Sequence, residues 1–142
     1  MTSRSSNAIQ LALVALACML VLGCRADTTG LGTLTLAQVN GRLVAGDDFV
    51  MCDANSADTR SKLGVIAGAT LLSSYRDYDV SSELPIDRAR MLVFYCHSPY
   101  CTAAADAARR AVGAGYQEVF VMPEGIKGWV EARLPVVRPD AG

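Results

Sequence analysis

The stretch from Arg90 to Met122 leaves the fewest folding options. "RMLVFYC" (90–96) is an apolar run of β-branched and aromatic residues, the composition of a buried strand. "TAAADAARRAVGAGY" (102–116) is a strong helix former, with Gly113 or Gly115 to end it. "EVFVM" (118–122) reads as the next buried strand. Strands alternating with helices predict an α/β domain with a mainly parallel central sheet flanked by helices.

Upstream segments fit the same architecture. In "LTLAQVNGRLVAG", Leu34, Leu36, Val39 and Leu43 have the spacing of a short amphipathic helix that stops at Gly46. "DFVMCDAN" is a short apolar run opening into a polar loop, and a polar stretch follows it. Gly64 and Gly68 in "LGVIAGATLLSSY" mark a turn before another strand. Residues 76–90 are polar, punctuated by Pro85, and are expected to be loop with one helical turn. "PEGIKGWVEARLPVV" predicts a glycine-bracketed turn, a short helix carrying Trp129 and an extended tail from Pro135. A chain of 142 residues accommodates one such domain, at 35–137, with a tail at 138–142.

The N-terminus reads differently. Arg4 precedes the uncharged apolar run Leu11–Leu22. About a dozen helical residues rise only ~18 Å against the ~30 Å of a bilayer core, so the run describes an export signal rather than a span. Leu-Val-Leu-Gly directly before Cys24 resembles a bacterial lipobox, which implies cleavage after Gly23 and lipidation of Cys24. The alternative is a plain secretory signal cut a few residues later. A multiply acylated Cys24 would hold the domain at a membrane surface in the bacterial cell envelope, facing the periplasm. Arg25, rather than an aspartate, favours delivery to the outer membrane. Residues 24–34 are then expected to be a tether.

Without residues 1–23, 12 Lys and Arg face 14 Asp and Glu, a net of −2. Nothing in the charge pattern suggests a nucleic-acid face. With Cys18 gone and Cys24 lipidated, Cys52, Cys96 and Cys101 remain in an oxidising compartment. An odd number of thiols there leaves at least one free or paired between chains.

Cys96 ends a strand, and His97, Ser98, Pro99, Tyr100 and Cys101 separate it from a helix starting near Thr102. Ligands bind at the carboxyl ends of strands in open parallel sheets. A tight strand–loop–helix turn also aims backbone N–H groups inward, with the helix dipole behind them. A cysteine at its base is expected to have a stabilised thiolate.

From "LVFYCHSPYC" through "GIKGWVEARLPV" the chain resembles the C-terminal half of a rhodanese domain. Upstream, Gly64-Val65-Ile66-Ala67-Gly68-Ala69 after Asp53 resembles that family's aspartate-bearing strand and following turn. The resemblance implies a sulfurtransferase with Cys96 as the persulfide-forming nucleophile. It implies a cradle of the His97, Ser98, Tyr100, Cys101 and Thr102 amides, with Asp53 bracing the site and Gly125 and Trp129 packing the closing turn. No cofactor or metal is implied. The expected partners are a small sulfur-containing anion or a thiol as donor and acceptor, and the expected state is a monomer. Three positions depart from the family: Pro99 removes an amide, Cys101 stands where arginine is usual, and Asn55 replaces a second arginine. Both losses remove positive charge and weaken the case for thiosulfate.

Several alternatives stay open on the sequence alone. Cys101 either resolves Cys96 as a disulfide, or receives its sulfur, or only fills an arginine's place. His97 either assists the sulfur or points to solvent. Tyr100 is a wall or a solvated side chain. Cys52 reads as core. The two functional readings are a sulfurtransferase through Cys96 and, alternatively, a Cys96/Cys101 redox or binding module on the same fold.

Overall fold

The computed structural model describes residues 30–139, so the expected signal segment 1–23 and the lipidation site Cys24 lie outside the described residues. Within them the chain alternates five strands with five helices. The strands are β1 (Gly32–Thr33), β2 (Val50–Asp53), β3 (Thr70–Leu71), β4 (Leu92–Tyr95) and β5 (Val119–Val121). The helices are α1 (Leu36–Ala45), α2 (Ala57–Leu63), α3 (Val80–Glu83), α4 (Ala103–Gly113) and α5 (Gly125–Glu131). All strands are parallel in one sheet ordered β1-β5-β4-β2-β3, the α/β architecture expected.

Local chemistry accounts for the elements. Thr35 caps α1 in a reciprocal pair with Gln38: the Gln38 amide donates to Thr35 Oγ1 at 3.3 Å, and the Thr35 amide donates to Gln38 Oε1 at 2.8 Å. Gly46 ends that helix with φ 74°, a left-handed turn a side chain would resist. In α4, Ala104, Ala107, Ala108 and Ala111 form a narrow buried stripe that lets the helix lie close on β4 and β5. Every residue of β4 is buried, because helices cover both faces of the sheet. One face packs Phe94 and Leu92 with Tyr78 and the α4 alanines. The other packs Val93 and Tyr95 with Ile126 and Trp129.

Two regions differ from the sequence expectation. Part of the expected tether belongs to the sheet: Gly32 and Thr33 pair with Phe120 and Val121, and the Leu34 amide continues the ladder to Val121. Small polar residues disguise this strand, yet Gly32 suits its close approach to the Phe120 ring. The polar stretch after Asn55 is the helix α2, started by the Ser56 side chain, which accepts from the Thr59 amide at 3.3 Å. At the far end, Trp129 Nε1 donates to the Pro135 carbonyl at 2.9 Å, and Val137 bridges to Val65, so the tail is anchored.

Candidate active site

β1, β5 and β4 point their carboxyl ends at one cleft of about 460 Å³. Its walls come from three connections: Thr33–Thr35, the loop after β4 with Cys96, Pro99 and Cys101, and the turn Met122–Glu124 after β5. Among the described residues lining it there is no lysine, arginine or histidine.

Cys96 is only 3% exposed but borders this cleft. Its backbone is held from behind by α5. The Ile126 amide donates to the Cys96 carbonyl at 2.8 Å and the Lys127 amide to the His97 carbonyl at 2.9 Å. Gly125 makes this approach feasible. It has φ 64°, and a Cβ there would lie 2.6 Å from the Cys96 oxygen. The loop then curls back, with the Cys101 amide donating to the Ser98 carbonyl at 3.0 Å.

The curl brings the two sulfurs of the loop together. Cys96 Sγ donates to the Cys101 carbonyl at 3.2 Å, with the Cys101 sulfur the alternative acceptor for the same proton. Both are free thiols. The pair divides its charge unequally. Cys101 is held down to about 5 from an ordinary 9.0, first because the Cys96 thiol donates to it and also because the His97 and Ala103 amides face it. Cys96 is pushed up, because its proton is held toward Cys101 and its sulfur is buried, although the Ala104 and His97 amides oppose this. Against the expectation of a stabilised thiolate on Cys96, burial and the hydrogen bond within the pair favour the proton on Cys96 and the negative charge on Cys101. Of the expected cradle amides, His97 faces both sulfurs, with Ala103 and Ala104 beside it, and the Cys101 amide is spent on the turn.

The remaining expected site residues are distributed unevenly. Pro99 lines the cleft, whereas Tyr100 is 74% exposed. His97 and Thr102 are exposed, and Ser98 is half-buried. Asp53 and Asn55 are buried on β2 and the turn after it, away from the cleft lining. Asp53 lies beside Tyr95 in the sheet, and its Oδ1 accepts from the Asn55 amide at 2.7 Å and from Arg60 Nε at 3.1 Å. Arg60 also donates to the carbonyls of Asp53 and Leu72, each at 2.9 Å. Sequence reasoning missed Arg60 because it missed α2. The available signal was Ser56 as a cap, with Asp58 in the first turn and Arg60 and Lys62 in the last. Cys52 is a core residue, its thiol pushed up to about 12 chiefly by burial.

With this geometry in view, comparison with known proteins is direct. The profile of the family described as "Rhodanese-like domain" matches residues 35–132. This chain belongs to the rhodanese-like domain family. The uncharacterized protein YibN of Escherichia coli is 30% identical over 98 residues, covering 68% of this chain and 66% of YibN. The chain thus spans slightly under two thirds of that relative's length. A polysulfide-sulfur transferase homodimer from Wolinella succinogenes superimposes with a TM-score of 0.66 at 17% identity, over 92% of this chain and 88% of that one. A Bacillus halodurans protein superimposes with a TM-score of 0.65 at 15% identity, over 92% and 83%. At such identities the likeness is one of fold.

Proposed function

We propose that this domain is a sulfurtransferase that moves sulfane sulfur through a persulfide on Cys96. The observation that carries the reading is the placement of Cys96 at the end of β4, bordering a cleft, with the His97 and Ala104 amides at its sulfur. Those amides stabilise the negative charge that develops on the Cys96 sulfur as its proton leaves. Cys96 attacks the outer sulfur of a donor, the donor's remaining part leaves with the bonding pair, and the Cys96 proton passes to the adjacent Cys101 sulfur. A cleft without a cation suits a sulfane donor of low charge, such as a persulfide or polysulfide, better than the doubly charged thiosulfate. The acceptor is a thiol or another thiophile. The domain is assigned to the periplasmic face of the envelope, held by lipid on Cys24, on the strength of the lipobox-like "LVLGC".

The test is intact mass after exposure of the reduced protein to thiosulfate, inorganic polysulfide or a low-molecular-weight persulfide. At least one donor is expected to load sulfur on Cys96, either retained as a persulfide or discharged as sulfide. Cys96→Ser is expected to abolish both. A protein that neither gains sulfur nor yields sulfide with any of the three donors would refute the reading.

A further inference from the structure

We propose that Cys101 resolves the Cys96 persulfide, so that the domain releases sulfide and is left with a Cys96–Cys101 disulfide. This rests on the sulfurtransferase reading above and carries it one step further.

Three observations point the same way. First, Cys96 Sγ lies 3.2 Å from the Cys101 carbonyl and both cysteines line one wall of one cleft, because the Cys101 amide curls the loop back onto Ser98. Second, a lasting persulfide needs its outer sulfur, which carries negative charge, to be held. The described lining of the cleft offers no lysine, arginine or histidine for this, and Glu124, an acid, is the ionisable side chain there besides the two cysteines. Glu124 Oε2 is itself buried without a hydrogen-bond partner. A persulfide anion that no cation holds is destabilised on the protein, and taking up the Cys101 proton lets its outer sulfur depart as hydrosulfide. Third, Cys101 is more exposed than Cys96, so it is the sulfur of a finished disulfide that an external reductant meets first.

The step balances. After loading, Cys96 carries a persulfide anion and Cys101 carries the proton it took from Cys96. The Cys101 sulfur attacks the Cys96 sulfur, and the bond between the Cys96 sulfur and the outer sulfur breaks. The outer sulfur leaves with the bonding pair and takes the Cys101 proton, departing as hydrosulfide. The two cysteine sulfurs have together lost two electrons and the sulfane sulfur has gained them. Resetting the pair needs two electrons from an external dithiol, which attacks Cys101 and frees Cys96. The natural co-reactant is therefore a dithiol protein or small dithiol.

The experiment loads the reduced full-length protein with inorganic polysulfide, removes excess donor, and measures intact mass, free thiols and sulfide without added reductant. Wild type is expected to lose two hydrogens, to show a Cys96–Cys101 bridge by peptide mapping, and to release one sulfide per chain. Dithiothreitol is expected to restore both thiols. Cys101→Ser and Cys101→Ala are each expected to retain one extra sulfur on Cys96 and to release at least tenfold less sulfide. Wild type that keeps its persulfide as long as both variants do overturns the resolving role while leaving the sulfurtransferase reading intact. Absence of both loading and sulfide in all three proteins overturns the two together.

Discussion

Two strand-to-helix turns lie side by side at the carboxyl edge of the sheet, and they treat charge in opposite ways. After β2, the carboxylate of Asp53 is fully buried and is met by Arg60 and the Asn55 amide. After β4, negative charge is favoured on the Cys101 sulfur, and what meets it is a proton from a neighbouring sulfur together with backbone amides and the His97 side chain. The first turn is compensated by a fixed opposite charge at Asp53 Oδ1, while Asp53 Oδ2 and Asn55 Nδ2 stay buried without a hydrogen-bond partner. The second is compensated by a group that can itself ionise or form a bond. Adjacent turns of similar topology thus hold charge by a fixed ion pair in one case and by a pair of thiols in the other.

The sharpest way to break that contrast is to remove one member of the ion pair. Asp53→Ala or Arg60→Met should cost about 3–5 kcal/mol, since a buried charge is left without its partner. Cys101→Ser should cost no more than about 1 kcal/mol, as at a half-exposed loop position. Denaturant midpoints that move equally for both turns would erase the distinction. Gly125→Ala probes the support behind the second turn. Its Cβ would sit 2.6 Å from the Cys96 oxygen, so the loop must shift. A displacement of that kind is expected to slow sulfur loading of Cys96 by about a hundredfold, measured by rapid quench and mass.

A smaller effect reads the shared proton directly. Alkylation of Cys101 by iodoacetamide in the reduced protein should keep its rate as pH falls from 9 and decline only near about 5, where that thiolate takes up a proton. Cys96→Ala removes the donor that contributes most to the lowering, so the inflection should move upward. At pH 6 the variant should react about tenfold more slowly, part of the lost thiolate being offset by higher intrinsic nucleophilicity. An unmoved inflection would show that the amides alone stabilise Cys101. The smallest expected change is Tyr100→Ala. This side chain is 74% exposed, and its removal should shift stability by less than about 0.5 kcal/mol in thermal unfolding.

Legibility in the sequence follows how local each signal is. The strand at 92–95, the alanine-rich helix and the strand at 119–121 announce themselves because composition and period agree over a whole element. Gly32–Thr33 is too short and too small to show any period, and becomes a strand only because β5 offers an edge. Helix α2 is mostly polar, with no residue fully buried and Leu63 alone packed on the core, so hydrophobic spacing is nearly silent and its cap speaks loudest. The position of Cys96 at a strand end was readable. The sharing of its proton with Cys101 was not, because it depends on how the loop curls and not on the spacing of the two cysteines.

The contacts from α5 to the Cys96 and His97 carbonyls have a mechanical consequence. They anchor the first half of the loop like a vice, while the second half, after Ser98, closes on itself. In the proposed cycle these anchors would keep the Cys96 backbone in place while the Cys101 side of the loop moves. A protein that tells the states of that cycle apart would then have to inspect the sulfur rather than the silhouette.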